Sequence, residues 1–110
     1  MFIQTQETPN PNSLKFIIGK GVSNDGPYEF LNENQTNIPL LKNILTIRGV
    51  TGIFLSEDFL SINKSQDEKW ENIKHIVISF LNEYYEEGNE FIINKQSTLG
   101  YQKDFGEIEN

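Results

Sequence analysis

The first third of the chain has a polar and apolar pattern that predicts three short strands. Residues 2–7 alternate with a period near two, as in a strand with limited burial. Pro9 and Pro11 must interrupt that strand, because each proline fixes φ and lacks an N–H donor. The pattern predicts further strands over residues 13–18 and, after a glycine-rich turn segment, over residues 27–31.

The middle of the chain predicts a short helix followed by a hairpin. Pro39 stands where the first turn of a helix tolerates proline, and Gly49 can adopt the left-handed conformation that ends a helix. Between them the apolar residues recur on one face: Leu40, Leu41, Ile44, Leu45 and Ile47. Two strands over residues 50–56 and 59–64 are joined by an acidic pair, a spacing typical of a hairpin whose turn type stays open.

The strongest helical pattern lies in the last third of the chain. Six apolar residues recur at helical spacing, which predicts a second helix of about five turns: Trp70, Ile73, Val77, Phe80, Leu81 and Tyr84. Ser65 or Asp67 is expected to cap its start and Gly88 to end it. Residues 91–93 suit a further short strand, and residues 96–110 are expected to form an acidic linker or flexible tail.

The order of these elements, β-β-β-α-β-β-α, predicts the fold class. Successive strands joined by short turns favour a mostly antiparallel sheet, and two amphipathic helices can cover only one of its faces. We therefore expect an α+β protein, a two-layer sandwich with both helices on one face, formed by a single domain over residues 1–95.

The composition narrows the classes of partner and cofactor. The chain has 110 residues, with 9 Lys and Arg against 16 Asp and Glu, giving a formal net charge of −7. Because an acidic surface repels phosphate backbones and anionic lipids, neither nucleic acid nor a membrane is expected as a partner. The chain has no cysteine, so it cannot form a disulfide or bind zinc or an iron–sulfur cluster through thiolates.

The side chains that could perform catalysis are too few for a hydrolytic site. His75 is the only histidine, and a single histidine on a helix is far more often solvated or structural than catalytic. The acidic pairs are typical of a solvated surface, and residues 19–21 lack the glycine spacing of a phosphate-binding loop. No catalytic residue and no metal ligand is predicted, so the chain is not expected to be an enzyme.

The candidate binding residues are those of the proline-rich turn and one tyrosine. Thr8, Asn10 and Asn12 carry hydrogen-bonding groups in a segment that two prolines make rigid, although a plain connector between strands is the commoner role. Tyr85 lies off the apolar stripe of the second helix, so we expect it on the surface, whereas Trp70 is expected in the core. The candidate partner-binding residues are therefore Thr8, Asn10, Asn12 and Tyr85.

Several of these segments together resemble the N-terminal domain of Nfu (NifU-like) proteins. Residues 2–16 combine a strand, a Glu-Thr-Pro-Asn-Pro segment and a Leu-Lys-Phe strand, which recur in that family. The resemblance continues at Pro39, Leu40, Leu45, Ile47, Gly49, Val50, Ile53, Phe54, Asp58, Phe59, Ile62 and Lys64, and in the last helix at Trp70, Ile73, Lys74, Val77 and Gly88. The chain departs from the family pattern at Ile18, Ile38 and His75. At position 38 the family has a small hydroxyl residue that would cap the first helix, so here either Asn37 caps this helix or the helix starts more weakly.

The resemblance implies a role in iron–sulfur cluster assembly. In Nfu proteins a C-x-x-C pair in a separate C-terminal domain bridges the cluster, so no cofactor is expected in this chain and residues 96–110 resemble the start of a linker to such a domain. It implies a non-catalytic accessory domain that recognises iron–sulfur apoproteins or assembly proteins. The alternative is a stand-alone peptide-binding or regulatory domain. We expect it in the cytoplasm of a bacterium or in the mitochondrial matrix of a eukaryote.

Overall fold

The computed structural model describes residues 3–24 and 26–93, which form one sheet and two α-helices. Their bounds are β1 Gln4–Glu7, β2 Ser13–Ile17, β3 Tyr28–Phe30, α1 Pro39–Leu45, β4 Val50–Leu55, β5 Phe59–Lys64 and α2 Lys74–Glu86, with short 3-10 helices at Glu33–Gln35 and Trp70–Asn72. The strands lie in the order β1-β2-β5-β4-β3, and every neighbouring pair is antiparallel. The α+β class and the antiparallel sheet predicted from the sequence are confirmed.

Strand alternation divides the sheet into an inner face, which the helices cover, and an outer face, which they leave open. The register aligns two rows of buried apolar side chains across β2, β5, β4 and β3. One row is Phe16, Leu60, Leu55 and Tyr28, and the other is Leu14, Ile62, Ile53 and Phe30. Because both rows join a single hydrophobic cluster with α1 and α2, the core lies between the sheet and the helices.

Helix α2 buries a stripe that differs from the predicted one. Ile73, Val77, Leu81 and Tyr85 recur every four residues and are all buried, the last three within α2 itself. Trp70 and Tyr84 are only partly buried. The sequence pattern predicted the buried face of the helix by counting from Trp70. Trp70 belongs instead to a 3-10 helix before α2, so its position does not indicate which face of α2 is buried.

The start of α2 is also later than predicted. The helix begins at Lys74 with no side-chain cap, so neither Ser65 nor Asp67 caps it, and its 13 residues are fewer than five turns would need. The segment before it forms a turn in which the N–H of Glu68 donates to the carbonyl of Ser65 (3.2 Å). This turn is held against Gly49, whose carbonyl accepts from the N–H of Ser65 (2.8 Å) and whose Cα is covered by the Glu68 side chain.

Helix α1 begins at Pro39, as predicted, but without side-chain help. Its N-cap Ile38 makes no capping hydrogen bond, and Asn37 does not take that role. Thr36 Oγ1 instead accepts from the N–H of Ile38 (3.1 Å). The helix ends at Leu45, and Gly49, with φ of +94°, serves the following turn into β4.

The remaining predicted elements fall into three classes. The hairpin over β4 and β5 is confirmed, with the N–H of Ser56 donating to the carbonyl of Phe59 (2.9 Å). Residues 91–93 do not form a strand; Ile93 makes a single parallel bridge to Ser23. The linker predicted over residues 96–110 lies outside the described residues. No helix in the described part of the chain is long and apolar enough to cross a membrane.

Candidate binding pocket beside the first strand

The inner face of the sheet is incompletely covered at β1. There the two inward positions carry Thr5 and Glu7, aligned with the core residues Phe16 and Leu14. Thr5 is half-buried and Glu7 is exposed, whereas the core residues beside them are buried. Because polar side chains replace apolar ones at this edge, the core ends here and leaves a concave surface.

This surface is a pocket of about 540 Å³, called the first-strand pocket below. Its walls are Thr5 and Glu7 of β1, residues 8–11, Ser13 and Leu14, and Trp70 and Lys74 on the helical side. One carboxylate and one ammonium group line it together with the Trp70 ring. A pocket with mixed polar and apolar walls suits a peptide side chain better than a purely apolar ligand.

The loop over residues 8–12 is held by its own side chains. Thr8 Oγ1 lies 2.9 Å from the carbonyl oxygen of Asn10 and accepts from the N–H of Asn10 (3.1 Å). Asn10 Oδ1 accepts from the N–H of Asn12 (2.9 Å), and the N–H of Ser13 donates to the Asn10 carbonyl (3.0 Å). The structure therefore brings Thr8, Asn10 and Asn12 together, and their polar atoms shape the loop.

Two residues from other elements fasten this loop to the body of the protein. Trp70 Nε1–H donates to the carbonyl of Pro11 (2.9 Å). Lys64 Nζ donates to Asn12 Oδ1 (3.1 Å), and the backbone N–H of Lys64 donates to the Asn12 carbonyl (2.9 Å). The Lys64 ammonium also lies 5.6 Å from the centroid of the Trp70 ring, within cation–π range.

Sequence reasoning missed Trp70, Lys64 and Lys74 as part of this region. Trp70 was assigned to the core because of its helical spacing, yet an indole N–H needs an acceptor, and that need could have suggested a position near polar backbone. Lys64 and Lys74 carry no comparable signal. Their contribution depends on β5 and α2 meeting the loop in three dimensions.

Tyr85 lies elsewhere, and the prediction that it is a surface residue is wrong. Its side chain is 4% exposed and its hydroxyl donates to the carbonyl of Gly21 (2.7 Å). Burial raises the pKa of Tyr85 well above its ordinary value, and the neighbouring Tyr84 raises it further. Tyr84 and Tyr85 meet edge to face with ring centroids 5.3 Å apart. His75 is exposed on α2 and does not line the first-strand pocket.

The residues of this chain do not fit an iron–sulfur cluster. Cluster iron is held by cysteine thiolates, with histidine as an occasional replacement, and this chain has no cysteine. Within residues 3–24 and 26–93 no three His, Asp or Glu side chains come close enough to hold a metal ion. The arrangement offers a loop ordered by its own hydrogen bonds and a pocket lined by one carboxylate and one ammonium group.

Comparison with known proteins gives a consistent result. A family model described as "Scaffold protein Nfu/NifU N terminal" matches residues 3–88. The chain is 38% identical over 99 residues to NifU-like protein 5, mitochondrial, of Arabidopsis thaliana, covering 89% of this chain and 36% of that protein. It is 40% identical over 90 residues to the NFU1 iron-sulfur cluster scaffold homolog, mitochondrial, of Drosophila erecta, covering 80% of this chain and 32% of that protein. The chain thus spans about a third of the length of these curated relatives.

Solved structures agree with this fold. The solution structure of a NifU-like protein from Saccharomyces cerevisiae superposes with a TM-score of 0.72 at 31% identity, over 86% of this chain and 85% of that chain. The crystal structure of protein SAV1430 from Staphylococcus aureus superposes with a TM-score of 0.66 at 27% identity, over 74% of this chain and 99% of that chain.

Proposed function

Because this chain belongs to the Nfu/NifU N-terminal domain family, we propose that it is a non-catalytic domain that recognises iron–sulfur apoproteins or assembly proteins. The supporting observation is the first-strand pocket, where a loop fixed by its own hydrogen bonds meets Trp70 and Lys74. A loop that is already ordered loses little entropy when it binds, which favours affinity. The relatives named as iron–sulfur cluster scaffolds support the biological setting.

In this proposal the cluster is cargo that other polypeptide segments hold. Since the chain contributes no thiolate, its role is to bring an acceptor or assembly protein to the cluster. We expect the purified chain, incubated anaerobically with iron and sulfide and then desalted, to retain far less than one iron atom per chain. Stoichiometric, tightly held iron would contradict the proposal.

The recognition step can be tested by NMR titration with a defined probe. Apo-ferredoxin, prepared by removing the cluster with a chelator, is added to the ¹⁵N-labelled chain, and holo-ferredoxin serves as the comparison. We expect apo-ferredoxin to shift the amides of residues 8–13 and the Trp70 indole N–H selectively. Asn10→Ala should weaken this binding, and His75→Ala, exposed on α2 and not part of the pocket lining, should leave it unchanged. Shifts centred elsewhere, or equal binding of both ferredoxins, would contradict the proposal.

A second function, stand-alone peptide binding, is favoured by the position of β1. Among the described residues β1 pairs with β2 alone, so its other edge can accept an extended peptide as an additional strand. Alternate side chains of such a peptide would point toward the first-strand pocket. A peptide from a protein without iron–sulfur clusters that bound as tightly as apo-ferredoxin would favour this second function.

The cellular location of this chain is proposed from the names of its relatives. The Arabidopsis and Drosophila relatives are named as mitochondrial proteins. We accordingly place this chain in the mitochondrial matrix if its cell is eukaryotic, and in the cytoplasm if its cell is bacterial. Fluorescence imaging of the tagged protein in its own cell tests this placement.

A further inference from the structure

The outer face of the sheet carries an apolar patch that no element of the described structure covers. Two large hydrophobic residues in the described part of the chain are exposed, Leu31 at 57% and Phe54 at 37%. Both lie at this face. Ile17 and Phe59, aligned with each other on β2 and β5, are half-buried there. These four residues are called the outer-face patch.

The absence of a side chain at Gly52 lets Leu31 lie on the sheet, which extends the patch toward β3. Gly52 occupies an outward position of β4, aligned with Asn63, and a Cβ there would lie 3.2 Å from a methyl group of Leu31. Leu31 therefore folds over the sheet at Gly52. Phe54 and Phe59 have ring centroids 6.4 Å apart, so aromatic surface continues from β4 to β5.

Charged side chains border this patch on opposite sides. The register aligns Lys15 on β2 with Ser61 on β5, Ser61 with Phe54 on β4, and Phe54 with Glu29 on β3. The Lys15 ammonium lies 4.3 Å from the centroid of the Phe59 ring. A cation and an anion thus stand three strand spacings apart, ~14 Å, with Ser61 and the Phe54 ring aligned between them.

The dimensions of this strip match a single α-helix. A helix with its side chains is about 10 Å wide, so it fits between Lys15 and Glu29 along β4 and β5. Each of these strands has six residues and is ~20 Å long, the length of a helix of about 14 residues. A second copy of this chain fits less well, because two chains of net charge −7 repel each other and the flat area is well below the ~800 Å² per partner of a standard interface.

We propose that the outer-face patch docks an amphipathic α-helix of a partner protein. The helix lies along β4 and β5 with an apolar stripe on the patch, acidic residues toward Lys15 and basic residues toward Glu29. Packing a helix here gives the sheet a third layer, the arrangement found in proteins with helices on both faces of a sheet. This site lies on the opposite face of the sheet from the first-strand pocket and does not depend on the function proposed for that pocket.

The test uses a synthetic amphipathic peptide of about 14 residues, the length of the strip, with a leucine stripe, glutamates on one flank and lysines on the other. Titrated into the ¹⁵N-labelled chain, it should shift the amides of Lys15, Leu31, Phe54 and Phe59 and show induced helicity by circular dichroism. Shifts centred on residues 8–13, or no binding at millimolar peptide, would overturn the proposal.

Substitutions in the patch separate apolar contact from a folding defect. Phe54→Ser should weaken peptide binding by about tenfold or more, since a central aromatic contact is lost. Because Phe54 lies in a central strand, Leu31→Gln provides a second variant in the loop after β3, expected to weaken binding about fivefold without altering the spectrum of the core. Unchanged affinity in both variants would overturn the proposal.

A matched pair of charge reversals tests the border of the patch. Lys15→Glu and Lys20→Glu alter the net charge equally, but Lys20 is exposed in the turn after β2 and is not one of the aligned residues of the sheet. We expect Lys15→Glu to weaken binding about fivefold and Lys20→Glu to change it less than twofold. Equal weakening would mean that only net charge matters, and self-association through the patch in sedimentation experiments would mean that a second copy is its occupant; either result overturns the proposal.

Discussion

Two connections between strands look alike in sequence but play different roles in the structure. Residues 8–12 and residues 19–24 are both short, polar and rich in turn-forming residues. In the first connection the side chains of Pro9, Asn10 and Pro11 are exposed. In the second, Val22 and Ser23 are buried at 0% and 1% exposure, with the Tyr85 hydroxyl bound to the backbone of Gly21.

The difference teaches which kind of turn can serve as a binding surface. The proline-rich connection becomes rigid through local hydrogen bonds, so it keeps its shape while remaining open to solvent. The glycine-rich connection becomes rigid only by entering the core, where the N–H groups of Ile92 and Ile93 also reach the carbonyl of Val22 (both 3.0 Å). Disturbing the second should therefore cost stability, and disturbing the first should cost binding.

The largest expected effect comes from Tyr85→Ala. This change removes a buried ring and leaves the carbonyl of Gly21 without its donor, so we expect the free energy of unfolding to fall by about 3–5 kcal/mol. Urea unfolding followed by circular dichroism measures it. Glu86→Ala, the next residue on α2 and exposed, is the control and should change stability by less than about 0.5 kcal/mol. A loss below ~1 kcal/mol in Tyr85→Ala would contradict the role of this contact.

Gly21→Ala should have the next largest effect, because an added Cβ would overlap the ring of Phe91. We expect a loss of about 1–3 kcal/mol, as for other overpacked sites. A double-mutant cycle with Phe91→Ala measures how much of this loss of stability comes from the overlap with the Phe91 ring. Once that ring is absent, Gly21→Ala should cost little, and an equal loss in both backgrounds would show that the overlap is not responsible.

Alkaline pH tests the same buried connection without a substitution. Burial raises the pKa of Tyr85, with Tyr84 as a second cause, and burial raises the pKa of Tyr84, with Glu87 as a second cause. In the unfolded chain both phenols ionise near pH ~10, so above that pH the unfolded state holds fewer protons than the folded state. Stability is therefore complete below pH ~10 and falls as the pH rises beyond it.

The expected slope is at most about 1.4 kcal/mol per pH unit for Tyr85, and smaller for Tyr84, which is only partly buried and better screened by water. Urea midpoints between pH 8 and about 11.5 measure it, and Tyr85→Phe should make the decline shallower because one of the two titrating groups is gone. A variant with the same slope as the parent chain would show that Tyr85 ionises as readily in the folded protein as in the unfolded one.

The strands could be predicted well from the sequence because their signal is local. The bounds of β5 agree with the prediction at both ends, since alternating side chains between two turns leave few other choices. The frame of α2 could not be predicted in the same way. Trp70 continues the helical spacing of the sequence, but it lies in a separate 3-10 helix. There its indole N–H donates to the carbonyl of Pro11, 59 residues away in sequence.

The candidate pocket was predictable in part for the same reason. The rigid turn at Thr8, Asn10 and Asn12 follows from two prolines and short polar side chains, all of them neighbours in sequence. Its second wall, with Trp70 and Lys74, requires knowing where α2 begins. The prediction for Tyr85 was wrong for the same reason. Neighbouring residues of a helix point in different directions, so counting from Trp70 predicted that Tyr84 is buried and Tyr85 exposed.

Thr8→Val should have the smallest effect on stability and completes the comparison. Valine keeps the shape of threonine but removes the hydroxyl that accepts from the N–H of Asn10, and water can replace it because this hydrogen bond is exposed. We expect a loss of at most ~1 kcal/mol in the free energy of unfolding. Amide hydrogen exchange should nevertheless become faster at residues 10–13, and apo-ferredoxin binding should weaken, because the loop is no longer ordered before it binds. Asn37→Ala, exposed before α1, is the control for both measurements. A large global loss of stability in Thr8→Val would place this loop with the buried connection and remove the physical reason for assigning recognition to it.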